Sequence, residues 1–252
     1  EKNSFVLSIT ATRGAEQSRK MGANDGQSVD CWGTVVLHPG EGYRGVEAIK
    51  AGNMIMPSVP INEEHLLEFR EIIGRYAGQR KYIIVRTTEV REELIEQLLT
   101  SGDADEEPLF DIVRFNMETK STKKKGVVPV SIDNLKKKPE RLTLFLVRQM
   151  LRMGKQLPKK HICAVYEHTD KQNYDTALQS LLGRTCGYNI THNIDVYIDN
   201  GAQNKALNNY IEIVQSGFDK PVARTQNIRD RKIKEVNPDA KILFPNAPHL
   251  LR

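Results

Sequence analysis

A chain of 252 residues with 39% hydrophobic and 27% charged content can bury a sizeable core and has the composition of a soluble globular protein. No apolar run approaches the roughly 20 residues of a membrane span, and the charged start followed by a strand-like run is not the pattern of a signal peptide. Cys31, Cys163 and Cys186 are odd in number and far apart, which disfavours a disulfide framework or zinc site and fits a reducing, intracellular setting. The net charge of +5 is unevenly spread: residues 115–160 hold 13 Lys/Arg against 3 Asp/Glu, and residues 219–252 hold 8 against 4. Such segregation points to a polyanionic partner on one face.

In chain order, Phe5–Thr12 is an apolar run ending in hydroxyl residues, a buried strand opening into a loop over residues 13–30. Thr34–His38 is a second strand, followed by the turn sequence Pro39-Gly40-Glu41-Gly42-Tyr43. Leu66, Leu67, Phe69, Ile72, Ile73 and Tyr76 recur at helical spacing, so a helix is predicted over Glu63–Ala77, with Asn62 as N-cap and Gly78 as terminator. Lys81–Arg86 is a strand. Thr87-Thr88 then caps a helix over Val90–Thr100, closed by Gly102, and Phe110–Asn116 is the next strand. The lysine-rich Lys120–Lys138 segment lacks periodicity and reads as a loop or appended ribbon. Thr143–Val147 is a strand, Arg148–Met153 a short helix stopped by Gly154, and His161–Glu167 a strand. An amphipathic helix with Ala177, Leu178, Leu181 and Leu182 on its apolar face stops at Gly183 or shortly after, which leaves Arg184 near a turn containing Gly187. Asp195–Asp199 and a helix over Ala202–Gln215, ended by Gly217, complete the pattern, and the tail with Pro221, Pro238, Pro245 and Pro248 is partly irregular. Wholly apolar strands alternating with helices predict an α/β fold whose parallel sheet carries helices on both faces.

Chemistry-bearing motifs are few. No G-x-x-x-x-G-K-[ST] phosphate loop is present, since Gly154-Lys155 is followed by Gln156 and Gln149 stands where the first glycine belongs. Asp105-Glu106-Glu107 follows a glycine turn and reads as solvated. His161, Cys163 and His168 lack a fourth ligand, so no metal site is expected. Trp32, Tyr166 and Tyr188 are rings on which a base would stack, with core packing the simpler role for each.

Gln179 followed by Gly183-Arg184 resembles the sixth motif of superfamily 2 helicases and translocases, with one extra residue between glutamine and glycine and Gly187 in place of the second arginine. Ser8-Ile-Thr-Ala-Thr12 is similar to the third motif and Lys81–Thr87 to the fourth. Leu151–Lys155 with His161–Glu167 occupies the place of the fifth, without its Gly-Asp. The four lie in the family's order, and Gln-Ser-Leu-Leu-Gly-Arg followed by Cys-Gly-Tyr resembles divergent helicases of phages and large DNA viruses. The resemblance implies a second, RecA-like motor domain over residues 46–218 with a lysine-rich insertion at about 117–140. The end of a first motor domain with a linker would occupy 1–45, and a basic extension 219–252. It further implies ATP and Mg2+ held mainly by a first motor domain outside this chain, which alone would not hydrolyse ATP. Arg184, framed by Gly183, would be the arginine finger on the γ-phosphate, and Gln179 would sense the nucleotide. Thr10 and Thr12 would couple the nucleotide state to the track. Arg86, Thr87, Arg152 and Lys155 would contact the nucleic-acid backbone, DNA in preference to RNA, and Lys123, Lys124 and Lys125 would add grip. The setting would be the cytoplasm of a bacterial host, or the host cytoplasm or nucleus for a viral protein. Two other readings fit the residues: a stand-alone nucleic-acid-binding module on a motor fold without chemistry, and an unrelated α/β interaction scaffold.

Overall fold

The runs Tyr82-Ile-Ile-Val-Arg86, Thr143-Leu-Phe-Leu-Val147 and Ile162-Cys-Ala-Val-Tyr-Glu167 are apolar over most of their length. All three form strands whose residues are buried almost throughout. The computed structural model describes residues 40–100, 108–120, 129–151, 156–169 and 181–215. Within them the chain forms α1 (Val46–Ala51), β1 (Ile55–Pro57), α2 (Leu66–Gly74), β2 (Tyr82–Arg86), α3 (Glu89–Thr100), β3 (Asp111–Phe115) and α4 (Met117–Lys120). A 3-10 helix (Ile132–Lys136), β4 (Thr143–Val147), β5 (Ile162–Glu167), α5 (Leu181–Thr185), β6 (Asp195–Ile198) and α6 (Ala202–Gln215) complete the order.

The six strands make one sheet in the order β1-β6-β5-β2-β4-β3, and every pairing is parallel. Each face carries its own apolar cluster. One joins Ile84, Phe145, Val147 and Val165 of the sheet to Ile49 of α1, Leu181 and Leu182 of α5, and Leu207 and Ile211 of α6. The other joins Ile83, Val85, Leu144 and Leu146 to Phe69, Ile72 and Ile73 of α2 and to Ile95 and Leu98 of α3. This six-stranded parallel sheet with helices on both faces is consistent with an α/β RecA-like fold.

The register between β2 and β5 is irregular at one point. Tyr82 pairs with Ile162, but Ile83 pairs with Ala164, so β5 carries one extra residue, Cys163. Side chains alternate across a strand, and the extra residue reverses the alternation. Ile162 and Val165, three apart, therefore lie in the same apolar cluster. Beyond the bulge, β2 and β5 run in matched register, Val85 beside Tyr166.

Several boundaries differ from the sequence reading. The helix predicted from Glu63 starts at Leu66, because Asn62 Oδ1 accepts the His65 backbone N–H (2.9 Å) and closes a turn first. Leu67 consequently points to solvent at 69% exposure and is not part of the buried stripe. No helix forms over Arg148–Leu151, where Gln149 (φ 55°) and Leu151 (φ 61°) are left-handed and cannot continue a right-handed helix. Within the lysine-rich segment, Ile132–Lys136 forms a 3-10 helix: Ser131 Oγ accepts the Asp133 N–H and Asn134 Oδ1 accepts the Ser131 N–H, which caps it, and Leu135 lies in the core. The predicted strands at 5–12 and 34–38, Trp32, the 105–107 acidic turn and the tail from 219 lie outside the described residues.

Tyr166 ties the β1 end to the sheet. Its hydroxyl donates to the Val59 carbonyl and accepts from the Val59 N–H (2.9 Å). Tyr166→Phe leaves both Val59 groups unpaired, and an expected loss of about 1–2 kcal/mol is measurable by urea denaturation.

Candidate functional site

Because the strands are parallel, the residues at their carboxyl ends all gather at one edge of the sheet. The chain leaves β2 for α3 on one face and reaches α5 from β5 on the other, although β2 and β5 are neighbours. In open α/β sheets such a change of face is the place where ligands bind. Arg86 ends β2 and Glu167 ends β5. The Cys163 bulge sets Glu167 on the same face as Arg86, and their side chains form an ion pair of 2.7 Å.

Glu167 also accepts the backbone N–H of Leu181 (2.9 Å), the first described residue of α5. One buried carboxylate thus joins the end of β2 to the helix that carries Arg184. The α5 helix continues through Gly183 to Thr185, where the Thr185 hydroxyl donates back to the Leu182 carbonyl (2.6 Å) and Gly187 (φ 145°) turns the chain. Arg184 therefore sits in the helix and not in the turn after it. It is half-buried and donates to the Leu151 carbonyl. Burial, then the like charge of Arg86, lowers its pKa, while Glu167 acts in the opposite direction. The result is a pair of guanidinium groups around one carboxylate, an arrangement that retains positive character and suits a phosphate oxygen more than a metal.

Thr87 adjoins Arg86 and is buried. Its hydroxyl donates to the Thr88 carbonyl (2.9 Å) and its N–H to the Val147 carbonyl (3.1 Å), so the exposed hydroxyl on this turn is that of Thr88. Farther along the edge, Ser58 Oγ and His168 Nδ1 are 2.9 Å apart. Beyond β4, Arg148 lies 3.1 Å from Glu89 and 3.7 Å from buried Glu92, whose pKa is pushed up by burial against the pull of Arg148 and Arg114.

The structure brings together Arg86, Thr87, Gly183 and Arg184 from the sequence-predicted set. Gln179, Arg152, Lys155, Lys123, Lys124, Lys125, Thr10 and Thr12 lie outside the described residues. Among the described residues no group of three His, Cys, Asp or Glu side chains is placed to hold a metal ion, and no helix is long and apolar enough to cross a membrane. Sequence reasoning misses Glu167. A signal for it exists, since an acid closing one apolar strand and an arginine closing another are natural partners once the strands are neighbours.

The fold and this edge define an α/β protein with two arginines and a shared carboxylate at the switch point of a parallel sheet. Over 68 residues the chain is 38% identical to an uncharacterized protein of Acanthamoeba polyphaga mimivirus, a match that covers 27% of this chain and 17% of that protein. The likeness suggests a viral origin. No family model and no solved structure matches the chain.

Proposed function

We propose that this chain is the second motor domain of an ATP-driven nucleic-acid helicase or translocase, and that Arg184 is its arginine finger. The observation that supports this reading best is the placement of Arg184 on a helix anchored by Glu167 to the end of β2, at the switch point of the sheet. Arg86 and Arg184 fit the γ-phosphate of ATP, which would lie against this edge from a first motor domain. Glu167 is engaged by Arg86 and the Leu181 N–H, so the magnesium ligands would come from that first domain.

In this mechanism Arg184 faces the charge that develops on the transferring phosphoryl group, and the Leu151 carbonyl orients its guanidinium. Glu167 makes α5 and the end of β2 move as one body, so a shift of the nucleic acid on the β2 side would carry the finger with it. Residues of this chain supply charge and position only, and no proton transfer is asked of them.

Backbone-tracking binding reads charge and not sequence. Fluorescence anisotropy of this chain with labelled single-stranded and duplex DNA and RNA across a salt series tests it. Affinity is expected to fall steeply with salt, by about 0.7 in the logarithmic slope per single-strand phosphate engaged, and to change little with sequence. Absence of binding at low salt would overturn the proposal. A binding module without hydrolysis is the second reading, favoured by the +10 balance of residues 115–160. The Arg184 variant separates the two.

A further inference from the structure

The opposite edge of the sheet, where the strands begin, is also basic. Lys81 precedes β2, Lys138 lies ahead of β4, Lys159 and Lys160 precede β5, and His192 precedes β6. Adjacent strands lie about 4.8 Å apart, so these residues form a row and not scattered points. Their closeness has a second sign: the pKa of His161 is lowered by burial and then by Lys160, Lys81, Lys138 and His192. Three carboxylates on this side are already engaged. Asp111 lies 3.5 Å from Arg141, Asp133 pairs with Lys136, and Asp195 accepts the Tyr76 hydroxyl. Glu140 is exposed on the same side.

Between the starts of β5 and β6 lies a cleft of about 430 Å³ whose lining includes Lys159, Lys160, Tyr188 and His192 beside the apolar Leu157 and Ile190. Lys159 is half-buried, and neither it nor Lys160 pairs with a carboxylate among the described residues. Arg44 stands behind it. Its backbone pairs with Gly187 in both directions (2.9 and 3.0 Å) and one guanidinium nitrogen donates to the His192 carbonyl (2.9 Å). Its other two guanidinium nitrogens are buried with no hydrogen-bond partner among the described residues. Gly187 makes room for the Lys159 ammonium, which would lie 3.1 Å from a Cβ at that position. Burial lowers the pKa of both Lys159 and Arg44, and each also faces the Cys186 thiol, whose pKa burial pushes up to about 11. Two half-buried cations with a neutral thiol between them are a local excess of positive charge that no described group offsets.

Aromatic rings flank this charge. Tyr188 is 51% exposed and meets Tyr43, 39% exposed, edge to face at 5.1 Å. The Tyr188 hydroxyl accepts the Gly40 N–H (2.9 Å), which fixes its ring beside the cleft. Cations that track a backbone beside rings that accept stacked bases are the features of single-strand binding. A free phosphate would need the cations and not the rings.

We infer that the cleft of Lys159, Lys160, His192 and Tyr188 is a second nucleic-acid contact, which holds a phosphodiester of a single strand on the sheet edge opposite Arg86 and Arg184. The His192 Nε2–H donates to the Ile162 carbonyl (2.8 Å), which fixes its ring at the cleft wall. This contact would add to the nucleic-acid track proposed above and rests on that reading.

The test uses the full chain and a fluorescent oligothymidylate, with anisotropy measured across a salt series. Lys160 is exposed, so Lys160→Gln leaves the fold intact, and Lys159→Gln and Tyr188→Ala complete the set. Each lysine variant is expected to reduce the salt slope by about 0.7. Tyr188→Ala is expected to weaken binding by about tenfold with the slope unchanged. Lys205→Gln, an exposed lysine on α6, serves as the control for generic loss of charge. Slopes for Lys159→Gln and Lys160→Gln equal to that of Lys205→Gln would overturn the inference, as would absence of oligothymidylate binding by the unaltered chain. Calorimetry with inorganic phosphate provides the other arm: phosphate binding that is lost in Lys159→Gln, with the oligothymidylate slope unchanged, would mean a small-anion site and overturn it too.

Discussion

Arg184→Ala is expected to lower nucleotide hydrolysis by about 10³–10⁵ in the protein that carries both motor domains, while leaving affinity for nucleic acid nearly unchanged. The two effects separate because the finger acts on the phosphoryl group and the nucleic-acid contacts lie elsewhere in the chain. Arg184 is half-buried and donates to the Leu151 carbonyl, and loss of one such bond costs about 1 kcal/mol. Arg184→Lys keeps the charge but not the planar fork, so it is expected to recover little of the rate. Steady-state ATPase assays beside anisotropy binding, with circular dichroism to track the fold, give all three readouts. Equal loss of hydrolysis and binding would remove the finger role and leave Arg184 as part of the track.

Glu167→Ala should be the more damaging change to stability. Its side chain is 7% exposed and holds the Arg86 guanidinium at 2.7 Å and the Leu181 N–H at 2.9 Å. Removing one partner of a buried pair costs about 3–5 kcal/mol, because the other charge is left without compensation. Arg86 is 30% exposed and can be partly solvated, which places the expected loss near the lower end, about 3 kcal/mol. That is a large share of the roughly 5–15 kcal/mol typical of a domain. Glu167→Gln retains an acceptor for the Leu181 N–H and should cost less than alanine. Urea denaturation of the three proteins tests the order. Equal midpoints would show that the carboxylate contributes no net stability and that α5 is held by its apolar face alone.

The parts of the fold that are legible in the sequence are those where one physical preference dominates. Thr143–Val147 is apolar after its first residue and forms β4 with the same bounds, and the Ala202–Gln215 periodicity forms α6 with the same bounds. Short elements that draw stability from neighbours are not legible. In α1 only Ile49 is buried, and β1 is three residues long and ends at Pro57 on the sheet edge, so neither has a pattern to read. The left-handed Gln149 and Leu151 defeat any reading by propensity, since neither residue type prefers that conformation. For the site, Arg184 and Arg86 can be picked out by type and place in the chain. Their shared carboxylate cannot, because it depends on the Cys163 bulge, and nothing in the composition of β5 marks where its alternation reverses.

The pairing of β1 with β6 has a consequence for how the domain is made. Ile55 lies beside Val196, so the first strand of the sheet finds its neighbour only after the last has left the ribosome. At about 5–20 residues per second that interval is on the order of ten seconds. During it the β2–β4–β3 block can assemble from sequence-near segments, while β1 and its α1 remain without a docking place. A chain cut between β5 and β6 would expose β5 as an edge strand and leave β1 without its β6 partner. The nascent domain therefore passes through an aggregation-exposed half-sheet, and a chaperone that holds extended apolar segments would be needed most in that window.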